Sequence, residues 1–129
     1  MAYERQQPCN FIAKADEDLS GLQFFLVEMT GDELVGMTDT TDDPCAGVLQ
    51  NKPTSGQHAT VCPIGVSKVR VGSGGISAGA VLTAADSGWA CSVSSGHRSI
   101  GYCINGAASG MIATAFINVT NALYSNSWA

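Results

Sequence analysis

The stretch VSKVRVGSGGISAGAVLTAADSG, Val66–Gly88, decides how the chain folds. Its first six residues alternate, with Val66, Lys68 and Arg70 on one side and Ser67, Val69 and Val71 on the other. A period of two gives a strand one half-polar and one apolar face. Turn signals follow. GSGG (Gly72–Gly75) supplies residues that tolerate positive φ, and SAG (Ser77–Gly79) and DSG (Asp86–Gly88) repeat the device on either side of AVLTA.

The same rhythm runs outward in both directions. AGVLQNK and HATVCPI lie upstream, with PTSG (Pro53–Gly56) turning between them. WACSVS, SIGYCI and MIATAFINV lie downstream. Strand-length pieces broken by Gly or Pro are the pattern of an all-β sandwich or barrel. Further upstream, LQFFLVEM (Leu22–Met29) sits between Gly21 and Gly31 and predicts a buried strand, because Phe24, Phe25 and Val27 favour strand over a short helix. Asp39–Pro44 predicts a loop. Residues 1–20 are polar and acidic and read as an extended arm, with only a weak helical signal around Asp16–Gln23. The expected fold is therefore mainly β: a compact antiparallel β-sandwich or barrel, with an extended N-terminal arm (1–20), one β-domain over 21–129 ending in a short tail, and little helix.

Composition narrows the function. A chain of 129 residues can bury roughly two-thirds of its unfolded surface, so it needs neither metal nor disulfide to fold. Charged residues make up only 13 %, about half the usual share. A surface this poor in charge and rich in small residues suits packing against neighbours. The net charge of −5 is unevenly spread: residues 1–43 hold ten acids and two bases, whereas residues 44–129 hold one acid, Asp86, and four bases. Two faces with different tasks are implied. A nucleic-acid binder would need a stripe of Lys and Arg, and none runs along the sequence. The five cysteines form no CxxC pair, so free thiols in a reducing compartment are expected rather than a disulfide framework or zinc. The start MAYERQQPCNF has no apolar run behind its charges, and no window approaches the ~18 apolar residues of a membrane span. A protein made in the host cytoplasm, with no membrane partner, is expected.

The chain offers little chemistry. In GSGGISAG, Gly72 and Gly74 match the first two glycines of a dinucleotide fingerprint, but Ser77 stands at the third; Gly79 is followed by Ala80-Val81, not by the Lys-Ser/Thr of a P-loop. His58 and His97 could serve Ser55, Ser95 or a cysteine, but Asp86 is the single acid of the β region and sits in a turn. Both histidines read as surface residues. The acids Asp39, Asp42 and Asp43 lack the Gly and Glu spacing of a calcium loop. Asn118-Val119-Thr120 is a glycosylation sequon with no secretory context. No catalytic, cofactor-binding or metal residue is expected, and no enzymatic activity.

From Gly47 to Ile117 the order GVLQNKP, ATV, GVSKV, ISAGAVLTAADSGWA, SIGYCINGAASGMIATAFI resembles the capsid cement, or head decoration, proteins of tailed bacteriophages. The GVLQNKP strand is the most specific piece, and residues 1–43 carry no matching motif. The resemblance implies a structural virion protein on the outer surface of the expanded head. It would bind the major capsid protein and cement neighbouring subunits, as a homotrimer and without nucleic acid. The residues expected at the shell or subunit interface are Tyr3, Arg5 and Phe11 in the arm, Asn51, Lys52 and Pro53 in GVLQNKP, and Tyr124 and Trp128 in the tail. A polar tail keeps a Trp where something covers it. Two rivals remain: a β-domain of a phage fibre, tail or surface adaptor, and a ligand-binding or enzymatic β-barrel. Within GVLQNKPTSGQHATV, Gln50 and Asn51 are expected to bond neighbouring backbone, Val48 and Leu49 to pack inside, and Pro53 to end its strand.

Overall fold

The computed structural model describes residues 9–39, 44–94 and 96–122. Among these described residues ten strands form two layers. The first is a closed barrel of β1 (Phe11–Ala15), β3 (Leu34–Met37), β2 (Leu26–Gly31), β4 (Gly47–Leu49) and β5 (His58–Cys62), in that spatial order. The second is a five-stranded sheet in the order β6 (Ile64–Arg70), β10 (Ile112–Asn118), β9 (Gly101–Asn105), β7 (Val81–Ala84), β8 (Ala90–Ser92). Pro63 lies between β5 and β6, at the point where the chain leaves the barrel for the sheet. The mainly β expectation holds, with a barrel and an open sheet together in one chain.

Two cores account for the sequence pattern. Ala13, Ala15, Leu19, Val27, Val35, Leu49, Ala59 and Val61 fill the barrel. A second cluster joins Leu26, Cys45 and Val48 from the barrel side to Val69, Leu82, Ala115 and Ile117 from the sheet. Neighbours in sequence therefore serve different cores: Leu26 and Val48 face the sheet, while Val27 and Leu49 face the barrel interior. A strand buried on both faces reads as a continuous apolar run, which is why LV and GVL show no alternation. The sheet strands alternate, because only their inner face is covered. Their alanines (Ala84, Ala90, Ala113, Ala115) are buried, so part of the small-residue content lets the layers approach closely instead of coating the surface.

Several expectations need correction. The arm does not extend to residue 20: Phe11–Ala15 is a barrel strand, antiparallel to β5 and parallel to β3. That parallel pair closes the barrel; among the described residues the other strand pairs are antiparallel, and one isolated bridge, Val71–Ala90, is also parallel. Phe11, Ala13 and Ala15 do alternate inward, but the charges of Lys14 and Asp16–Asp18 obscured the pattern. LQFFLVEM is only half strand. Leu22–Phe25 turns, with Phe24 at φ 72°, and β2 starts at Leu26. A left-handed aromatic costs about 1–2 kcal/mol. It is held by hydrogen bonds from Phe24 N–H to the Leu49 carbonyl (2.7 Å) and from Arg70 N–H to the Phe24 carbonyl (3.0 Å). β3 was not anticipated either, since LVGM is four residues long and contains a glycine.

The predicted turns are present. Gly75 N–H donates to the Gly72 carbonyl, Ala80 N–H to the Ser77 carbonyl and His97 N–H to the Ser94 carbonyl. Asp86–Gly88 forms a single 3-10 turn. Glycine is sterically required at several positions, most sharply at Gly101. A Cβ on Gly101, at φ 142°, would lie 2.0 Å from the Phe116 carbonyl oxygen, so only glycine lets β9 meet β10.

Candidate interaction surfaces

The polar cluster of GVLQNKP is built into the barrel. Asn51 Nδ2 donates to the His58 carbonyl (3.0 Å), and its Oδ1 accepts from Thr60 N–H (3.0 Å). Gln50 Nε2 donates to the Val48 carbonyl and to Ser67 Oγ, a residue of the sheet. The Pro53 carbonyl accepts from Leu19 N–H (2.9 Å), and Pro53 itself is buried. These side chains join β4 to β5 and barrel to sheet, as the backbone bonding expected of Gln50 and Asn51 requires. Of the expected interface set in GVLQNKP, Lys52 alone is exposed. Phe11 is half-buried against the barrel core. Tyr3, Arg5, Tyr124 and Trp128 lie outside the described residues.

A feature that the sequence hid lies beside Lys52. A cleft of about 240 Å³ is lined by Lys52, Arg70, Phe24, Gln23 and Ile112. Lys68 Nζ lies 5.6 Å from the Phe24 ring centroid, within cation–π range. Three cations from two distant segments thus gather around one strained aromatic. Arg70 Nη1 donates to the Gly110 carbonyl (3.3 Å), while its buried Nε finds no partner among the described residues. No linear basic stripe exists because β4 and β6 bring these residues together only in space.

The outer face of the sheet carries an open apolar row. Strand register aligns Val66, Phe116, Tyr102 and Val81 in one row across β6, β10, β9 and β7. Val66 is 61 % exposed and Tyr102 48 %. The Tyr102 and Phe116 rings pack at 5.5 Å. Ile64, Ile112 and Ile104 extend the patch, the last at a bulge in the β9–β10 pairing. Contiguous exposed apolar residues on a sheet face mark an interaction site. VSKVRV showed the alternation, but not that the apolar positions of four strands would align.

Chemistry of other kinds has little material. Among the described residues no three His, Cys, Asp or Glu side chains gather in a metal-binding group. No helix among them is long and apolar enough to cross a membrane. His58 is exposed at the start of β5, and His97 sits half-buried in its turn. The five cysteines are unpaired. Burial pushes the Cys45 thiol up to about 12, and its Sγ donates to the Gly47 carbonyl (3.6 Å), which also favours the protonated form. Burial also raises the Cys62, Cys91 and Cys103 thiols, which keeps them protonated and unreactive at neutral pH. A second, open cleft of about 540 Å³ is lined by Trp89, Asp86, Ser73 and Ser109. Trp89 there is braced edge-on by Phe25 at 4.8 Å.

No known protein family matches the sequence, and no curated protein does. The solved structures do contain a match. The N base of the head fiber gp8.5 of bacteriophage phi29 is similar over 92 % of this chain and 100 % of its own, with a TM-score of 0.68 and 20 % identity. The chain therefore has the fold of a phage head-associated protein.

Proposed function

We propose that the chain is a structural protein of a phage virion, attached to the outside of the head. There it binds the major capsid protein of the expanded shell and cements neighbouring subunits as a homotrimer, without catalysis. The observation that carries this reading is the fold shared with the phi29 head fiber base along nearly the whole chain. The open apolar face and the three-cation cleft give such a protein surface to dock with, whereas the histidines and thiols give it no evident chemistry. Contacts of modest size suffice, because many copies act on one particle.

The same likeness favours a second reading, that the chain is the base of a fibre projecting from the head. Both readings place it on the head. They differ in whether the shell gains strength. Purified chain mixed with expanded, undecorated heads should co-sediment to saturation at a fixed ratio to capsid subunits and raise the temperature at which heads release DNA. Saturable binding without that rise supports the fibre base. Absence of binding refutes both.

A further inference from the structure

We infer that the outer face of the five-stranded sheet is an interface between copies of this chain, joined head to tail: the sheet of one copy packs against the acid-bearing barrel of the next. The apolar row Val66–Phe116–Tyr102–Val81 lies open, and no described part of the chain covers it. Charge identifies the occupant. The face-forming strands β6, β7, β9 and β10 contain no Asp or Glu, and their charged residues are Lys68 and Arg70 at one end of β6. The acids of the described chain concentrate on the barrel instead. Asp32 and Glu33 stand exposed in the turn between β2 and β3, and Asp16 is exposed just past β1.

With Lys68 and Arg70 beside the apolar sheet, and acids outnumbering the exposed Lys14 and Lys52 on the barrel, the molecule complements itself best when unlike surfaces meet. An isologous sheet-to-sheet contact leaves the acids unused, whereas a heterologous contact pairs Lys68 and Arg70 with carboxylates of the neighbour. Heterologous contacts that close generate a ring. This assigns the surface behind the self-association proposed above, and it can hold or fail whether or not the chain binds a head.

Sedimentation velocity of the full chain tests it without any capsid. The parent is expected to run as one closed oligomer at micromolar concentration. Val66→Glu, which leaves an unpaired charge in the contact, should weaken association at least about tenfold and give monomer with an unchanged far-UV spectrum. The pair Lys68→Glu/Arg70→Glu and the pair Asp32→Lys/Glu33→Lys should each weaken it. The chain carrying all four reversals should recover it, a result that simple misfolding does not produce. A monomeric parent overturns the inference. So does loss of association in the Val66 and Lys68/Arg70 variants with no effect of the Asp32/Glu33 pair, which would indicate an isologous contact. Association that appears only after deletion of residues 123–129 overturns it as well, by showing that the chain covers its own face. Head co-sedimentation of the same variants separates the two proposals: a monomer that still binds heads refutes the ring alone, and a ring that ignores heads refutes the attachment alone.

Discussion

The barrel and the sheet solve the same problem differently. Both are five-stranded, and both bury an inner face of Val, Leu and Ala. The barrel closes on itself through the β1–β5 and β1–β3 pairings, so it has no free edge, and its outside carries the acids. The sheet stays open. Its edge strands β6 and β8 meet only through the single bridge Val71–Ala90 and do not close along their length, and it shows water an apolar row on its outer face. A closed, charged layer is complete as it stands, whereas an open, apolar one is half of a contact. Folding is thus carried by the interior that the layers share, and the proposed self-contact would use the face that nothing described covers.

The comparison can be broken at the sheet first. Gly101→Ala should cost about 2–4 kcal/mol, because the new methyl meets the Phe116 carbonyl and strains the backbone. Gly56 has open space around it, so the same change in the β4–β5 loop should cost only the strain of its positive φ. Urea midpoints of the two variants measure the difference. Of comparable size, Leu82→Ala in the shared core should lose about 2–5 kcal/mol, the range for a fully buried Leu. Loss of the barrel and sheet signals in a single transition would show that the two layers unfold as one unit.

Alkaline pH should weaken the fold through its thiols. Cys45 is raised to about 12, well above the ordinary thiol value, and Cys62, Cys91 and Cys103 are raised too, each chiefly by burial. Unfolded thiols ionise near that ordinary value and folded ones do not, so the unfolded state binds fewer protons there. Stability is fully present below pH 9 and is lost as pH rises through the folded values. Replacing Cys45 by Ala should flatten that loss in melts between pH 8.5 and 10.5. The smallest effect expected is a gain. The Thr83 hydroxyl is buried and has no partner among the described residues, so Thr83→Val should stabilise by about 1 kcal/mol. His58→Ala and His97→Ala should leave head attachment within a few-fold of the parent.

Much of this was legible in the sequence, for physical reasons that can be named. Period-two alternation identified β6 because water touches one of its faces. Gly-rich turns located the ends of β7 because positive φ leaves few residue choices. The GVLQNKP polar groups were assigned to local bonding, and they do bond locally. The misses share a cause. β1 lay within a charged segment and β3 was too short to show a pattern, and both depend on partners far along the chain. Phe24 looked like strand, but tertiary hydrogen bonds hold it left-handed. Lys52, Lys68 and Arg70 could not be seen as a group, because their proximity depends on how the barrel meets the sheet.

A cryo-EM reconstruction of heads decorated with this chain tests the central claim most directly. The account predicts density on the outside of the shell in which the Val66–Tyr102 face of each copy is covered by the barrel of its neighbour. A reconstruction with the chain attached but that apolar face turned to solvent in every copy would contradict it.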